Sequence, residues 1–253
     1  MRSPDEYARV WELIERGLNN CEIERATGIP RTTIRDWRGG RVRDRAPRDV
    51  CQVCGHPPHD FAALPPASYA YILGMYLGDG DISRIGRTWR LRISLDMGWP
   101  GVTACCASAL KALFPHNRVS LYRPDAVKRL VVASVYSNQL LCLFPQHGPG
   151  RKHGRRIELV PWQSQLVAGQ TEDFLRGLIH SDGCRSLNTV SGSRVVYQYP
   201  RYTFSNRSDD IRRLFTDSCD RLGLEWRQMN AWNISVARRA SVARLDEFVG
   251  PKY

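Results

Sequence analysis

The spacing of apolar positions changes several times along the chain, and those changes divide it. Over residues 7–16 the apolar positions recur at helical spacing, with Val10, Trp11, Leu13 and Ile14 on one face. Gly17 ends that stretch, and Asn20 is placed to cap a second helix carrying Ile23 and Ala26. Gly28 turns the chain. Pro30 suits the first position of a third helix, which bears Ile34 and Trp37 and stops at Gly39-Gly40. A small all-α domain is therefore expected over residues 1–46. Residues 47–66 read as a basic linker. From residue 67 onward helical and alternating stretches succeed one another.

That second region repeats itself. Ile72-Leu-Gly-Met-Tyr-Leu-Gly-Asp79-Gly80 returns 103 residues later as Leu175-Arg-Gly-Leu-Ile-His-Ser-Asp182-Gly183. Each copy carries small residues four apart, Gly74 with Gly78 and Gly177 with Ser181. Such a strip lets two helices pack backbone to backbone. Each copy closes on Asp-Gly, with the glycine placed as a helix C-cap. An aspartate at the negative end of a helix calls for a compensating cation. Two such ends in contact double that demand, and a divalent metal meets it.

The elements after each motif also match. After Asp79 come strands near Ile82 and over 89–95, a helix over 102–114, strands over 119–122 and 130–135, and a helix over 138–144. After Asp182 come strands over 195–199 and 201–205, a helix over 209–222, strands over 226–229 and 233–237, and a helix over 242–249. The expected fold class is α+β: two pseudo-symmetric αββαββα repeats, residues 67–160 and 161–253, preceded by the small all-α domain.

Charge adds a partner. Lys and Arg number 37 against 25 Asp and Glu, a net charge of +12. Only four of the basic residues are lysine; the other 33 are arginine, whose forked guanidinium suits phosphates and guanine edges. The partner implied is a polyanion, double-stranded DNA first. From Arg31 to Arg48 there are seven arginines against two aspartates. Arg41, Arg43, Arg45 and Arg48 lack helical pattern and read as a basic arm. Residues 22–37 resemble a helix-turn-helix of the resolvase and transposase type, whose last helix enters the major groove. The resemblance implies Arg31, Thr32, Thr33 and Arg35 as DNA-binding residues, with Arg38, Arg41 and Arg43 beside them.

No apolar run approaches the roughly 18 residues of a membrane span. Residues 1–15 have neither signal- nor transit-peptide character. A cytoplasmic, nucleoid-associated protein is expected. The eight cysteines do not read as an extracellular disulfide framework. Cys51, Cys54, His56 and His59 place four candidate zinc ligands within nine residues. Four ligands so close would strain the loop, which Pro57 and Pro58 stiffen, and a full site ordinarily brings its second pair from a distant segment.

Residues 67–253, about three quarters of the chain, resemble a two-repeat LAGLIDADG homing endonuclease on the strength of ILGMYLGDG, LRGLIHSDG and the shared order of elements. The resemblance implies that the motif helices form the interface between halves and that two curved sheets saddle DNA in the major groove. It implies that Asp79 and Asp182 bind Mg²⁺ and that each acid serves one strand. It also implies a basic residue near each scissile phosphate. Lys152 is the first candidate for that role and Arg155 the second; no counterpart for the other strand is apparent. The chain lacks intein ends, which implies a free-standing, Mg²⁺-dependent, site-specific double-strand endonuclease, active as a monomer. The alternative is a non-cleaving transcriptional regulator on the same fold; retention of both acids favours the nuclease.

His180 reads as a partly buried helix residue, and Trp89, Trp99, Trp162, Trp226 and Trp232 as core or sheet packing. Arg90, Arg92, Arg201, Arg227 and Asn233 alternate along their strands. Strand register decides which face they occupy.

Overall fold

A computed structural model describes residues 3–40, 50–125, 127–191 and 196–250. The chain divides between Asp49 and Val50 into two compact units. The first is built from α1 (Pro4–Glu15), α2 (Asn20–Thr27) and α3 (Arg31–Arg38) around Val10, Ile23, Ile29 and Ile34. The first two helices start earlier than the apolar pattern suggests, because side-chain caps set their starts. Ser3 and Glu6 form a capping box ahead of α1, and Asn19, not Asn20, caps α2 by accepting from the N–H groups of Cys21 and Glu22. Pro30 stands just outside α3 as its cap residue. Gly28, at φ +68°, makes the turn between α2 and α3.

The second unit starts at Val50, so residues 50–66 pack with it and do not form a separate linker. Phe61 stacks on Trp162 at 4.1 Å, which draws this segment onto the core. Its first half runs α4 (Pro66–Asp79), β1 (Gly80–Ile85), β2 (Thr88–Asp96), α5 (Pro100–Leu113), β3 (Ser120–Tyr122), β4 (Leu130–Tyr136) and the short α6 (Leu140–Leu143). After α7 (Pro161–Gly169) the order recurs: α8 (Thr171–Asp182), β5 (Gly183–Ser191), β6 (Val196–Ser205), α9 (Asp209–Arg221), β7 (Arg227–Gln228), β8 (Asn233–Val236) and α10 (Arg239–Phe248). The two antiparallel sheets share one topology, β1-β2-β4-β3 and β5-β6-β8-β7. One apolar core runs through both halves.

Two of the expected strands differ. Residues 196–199 and 201–205 belong to one strand, β6, whose partner β5 begins directly after Asp182, and residue 195 lies outside the described residues. Pro200 does not break β6, because β8 pairs with it only from Tyr202 to Ser205 and leaves no partner on that side at Pro200.

The motif helices form the centre. Every residue of α4 from Tyr69 to Leu77 is buried, as befits a helix apolar all round. A Cβ on Gly74 would stand 2.5 Å from the carbonyl oxygen of Phe174, and one on Gly177 would collide with the carbonyl oxygen of Tyr71. One on Gly78 would stand 2.5 Å from the Cβ of Ser181. The helices thus meet backbone to backbone along the small residues. The closing glycines stand at the C-caps, as expected, and both are extended, Gly80 at φ −86° and Gly183 at φ −102°. The chain passes straight from helix into strand, and glycine is needed for closeness: a Cβ on Gly183 would lie 2.7 Å from Ile179 Cα.

A buried polar chain braces the junction of the halves. Gln146 Nε2 donates to Gln163 Oε1 at 2.6 Å, Gln163 Nε2 to the Tyr69 hydroxyl at 2.6 Å, and that hydroxyl to the Leu143 carbonyl at 2.6 Å. His180, buried as expected, accepts at Nδ1 from the Tyr71 hydroxyl at 2.9 Å and donates from Nε2 to the Val249 carbonyl at 3.2 Å. Trp89 and Trp162 pack on the core, whereas Trp99, Trp226 and Trp232 are exposed.

Gly74→Ala places its methyl against main chain that cannot swing aside, and should cost about 3 kcal/mol and lower the melting temperature by roughly 6–12 °C. Gly169→Ala, with nothing within 4 Å, should leave it unchanged or slightly raised. Thermal and urea unfolding of both variants measure the difference.

Candidate functional site

The helix seam ends at two carboxylates. Asp79 is the last residue of α4 and Asp182 the last of α8. The Asp182 Cγ lies 3.1 Å from the point where a Cβ on Gly78 would stand, so this carboxyl abuts the residue before Asp79. Asn206, just past β6, donates from Nδ2 to Asp182 Oδ2 at 2.6 Å. Asn206 is itself held, its side-chain oxygen accepting from the Ser208 N–H and its carbonyl from Arg212. The sequence reading missed Asn206. The signal was hairpin register: Gly183 pairs with Phe204, which brings residues 205–206 back beside Asp182.

Lys152 reaches the same end. It sits on a 3-10 turn, Lys152–Gly154, and its ammonium donates to the carbonyls of Tyr76 (2.6 Å), Gly78 (2.5 Å) and Gly80 (2.9 Å). Those carbonyls belong to the last turn of α4 and its exit, where helix dipoles concentrate negative charge. Burial pushes the Lys152 pKa down to about 8, while Asp182 and Asp79 pull it back up. The ammonium therefore feels both acids at once. Arg155 is used differently: it donates to the carbonyls of Gln146, Gly148 and Gly150 and shapes the loop that carries Lys152.

An open cleft of about 470 Å³ adjoins these groups, with Asp81, Lys152, Asp182, Asn206 and Arg207 in its wall. The chemistry of the donor set fits a hard divalent cation: carboxylate oxygens from two helix ends, one fixed by an amide, beside open space for water and phosphate. A metal there would be held by Asp79 and Asp182.

Strand register settles the arginines. Leu91, Ile93 and Leu95 of β2 face the core, which leaves Arg90, Arg92 and Ser94 on the open face. Ser134 and Tyr136 lie opposite Arg92 and Arg90 on β4. In the second sheet Tyr202, Phe204, Ile234 and Val236 point inward, so Arg201, Thr203, Asn233 and Ser235 point outward, with Arg227 paired to Ser235. All five residues singled out by alternation thus occupy open faces. Arg92 is engaged by Asp81 at 2.6 Å, and Arg90 lies 5.9 Å from the Tyr136 ring centre.

In the first unit, Thr32 and Arg35 of α3 are exposed and Thr33 half-buried, while Ile34 is buried. Arg31 pairs with Glu24 at 2.9 Å, and Arg38 donates to the Leu18 carbonyl at 2.7 Å. Arg41 and Arg43 lie outside the described residues.

The cysteine motif is rearranged. Cys51, Cys54 and His59 converge with Cys142 of α6, their ligand atoms all within 4.8 Å of one another. His56 is exposed and outside this group; its carbonyl accepts from the Cys51 N–H at 2.8 Å. The backbone N–H groups of Cys54 and Val53 pull the Cys51 thiol down to about 6, and burial pushes that of Cys142 up to about 12. Cys142 stands 91 residues from Cys51, and no local spacing could announce it.

No helix among the described residues is long and apolar enough to cross a membrane. The sequence matches no protein-family model and no curated protein. Solved structures are similar. I-DmoI in complex with DNA and Ca aligns at a TM-score of 0.51 and 15% identity, over 72% of this chain and 89% of that one. I-DmoI in complex with DNA and Mn aligns at 0.50 and 12%, over 74% and 98%. I-DmoI is a homing endonuclease. A LAGLIDADG meganuclease, I-AabMI, bound to uncleaved DNA aligns at 0.45 and 12%, over 71% and 82%. At these identities the likeness is one of fold: about three quarters of the chain adopts the α+β, two-sheet fold of I-DmoI.

Proposed function

We propose that this chain is a LAGLIDADG-type, site-specific double-strand DNA endonuclease that works as a monomer with Mg²⁺. The observation that carries the reading is the pair Asp79 and Asp182, set at the ends of helices in backbone contact, with Asp182 in the wall of an open cleft. The net charge of +12 and the arginines on both open sheet faces support DNA as the substrate.

Arg90, Arg92, Arg201 and Arg227 would bind the duplex, the guanidinium forks reading guanine edges or gripping phosphates according to position. Asp79 and Asp182 would hold the metal. When bound, Mg²⁺ supplies Lewis-acid polarisation of the scissile phosphate and activation of water. Asn206 keeps the Asp182 carboxylate in one orientation. Lys152 acts as a positioning residue: its three protons are spent on the α4 carbonyls, so it fixes the helix end and offsets the charge gathered there. In the first unit, α3 would serve as a recognition helix through Thr32, Thr33 and Arg35, with Arg31, Arg38, Arg41 and Arg43 on phosphates.

Selection from a randomised DNA library tests the reading. The wild type should enrich a site and cut both strands with Mg²⁺ but not with Ca²⁺, and Asp79→Asn/Asp182→Asn should bind the same site and cut at least about 10³-fold more slowly. Arg35→Ala should relax the preference at one side of that site. Salt-sensitive binding with no cut under any metal would overturn the nuclease reading and leave a non-cleaving DNA-binding protein.

Lys152→Met should slow cleavage roughly 10–100-fold with little change in DNA affinity, and Lys152→Arg should restore part of the rate. Equal loss in both variants, or a loss confined to affinity, would show that the ammonium does not act through the acids.

A further inference from the structure

We infer that Cys51, Cys54, His59 and Cys142 form a structural zinc site that fastens residues 50–65 to the first half of the core. The inference is independent of cleavage. Three thiols and an imidazole converge from two segments, with Cys51 Sγ 3.6 Å from Cys142 Sγ and Cys54 Sγ 3.2 Å from His59 Nε2. Zinc bonded at about 2.3 Å to sulfur and about 2.0 Å to nitrogen keeps tetrahedral ligand atoms about 3.5–3.8 Å apart. The group is therefore close to the required size before any ion enters. All eight cysteines are free thiols, so no disulfide competes for these sulfurs.

Each ligand is positioned by something other than the cluster. Cys51 and Cys54 lie on a tight turn closed by two bonds of 2.8 Å, from the Gly55 N–H to the Cys51 carbonyl and from the Cys51 N–H to the His56 carbonyl. Gly55 holds φ +71°, which lets the turn close. The N–H groups of Val53 and Cys54 face the Cys51 sulfur, where they would stabilise a metal-bound thiolate. The His59 ring lies 5.3 Å from that of Phe61, which is stacked on Trp162. Cys142 stands between Leu140 and Leu143, both buried, on one turn of helix.

The segment also needs a fastener. No residue from 50 to 68 is buried, so this stretch has no apolar core of its own. A segment this short gains its fold from a metal more readily than from hydrophobic burial. Three soft thiolates and one imidazole in a closed set of four select zinc over Mg²⁺ or Ca²⁺ and leave no open position for substrate.

The test is metal analysis of the untagged full chain, purified under reductant and dialysed against metal-free buffer. The inference expects about one zinc per chain, and after exchange with Co²⁺ the tetrahedral thiolate spectrum, with a sulfur-to-cobalt charge-transfer band. Cys142→Ser should weaken zinc retention at least about tenfold, and His56→Ala should leave it unchanged. Metal removal should lower the melting temperature, and added Zn²⁺ should restore it. If Cys142→Ser does not fold, zinc stoichiometry, the cobalt spectrum and His56→Ala still decide. A zinc-free protein with no cobalt thiolate band overturns the inference. So does retention of zinc by Cys142→Ser together with its loss in His56→Ala.

Discussion

The two motif helices meet at Gly74 and Gly177 with no side chain between them, and much of the second unit is arranged around that contact. Backbone-to-backbone packing fixes both the separation of the helices and their relative slide, because carbonyl oxygens and Cα atoms cannot rotate away as side chains can. Each helix runs directly into the first strand of its sheet. The position of both sheets, and of the open faces bearing Arg90, Arg92, Arg201 and Arg227, therefore follows from the seam.

The same contact creates the electrostatic problem that the site resolves. Two helix C-termini bring unpaired carbonyls, and each adds an aspartate where the helix dipole disfavours one. The protein offsets part of this with Lys152, whose ammonium caps three carbonyls at the end of α4 while lying in the field of both acids. At the end of α8 the device is different, an amide from Asn206 on the Asp182 carboxylate.

Much of this was legible in the sequence because it depends on local pattern. The small residues four apart announced the seam, the repeat announced the two sheets, and alternation along β2 and β6 marked the outward arginines once register was known. What was not legible depends on contacts between distant segments. Gly80 and Gly183 stand at the C-caps that the pattern marks, yet they are glycine because Tyr76 and Ile179 leave no room for a Cβ. Pro200 looks like a strand break, but it falls where β6 lacks a neighbour on one side. Asn206 became visible only through hairpin register, and Cys142 only through the fold. His56 has the right spacing, yet its ring is exposed and outside the group.

The central claim is that the seam makes Asp79 and Asp182 parts of one working site. The most direct measurement is the cleavage rate of each strand, on a site recovered by selection, for Asp79→Asn and Asp182→Asn taken singly. If the acids work together, each single variant should lose double-strand cleavage about as completely as the double variant does. A single variant that still cuts both strands at the wild-type rate would contradict the account.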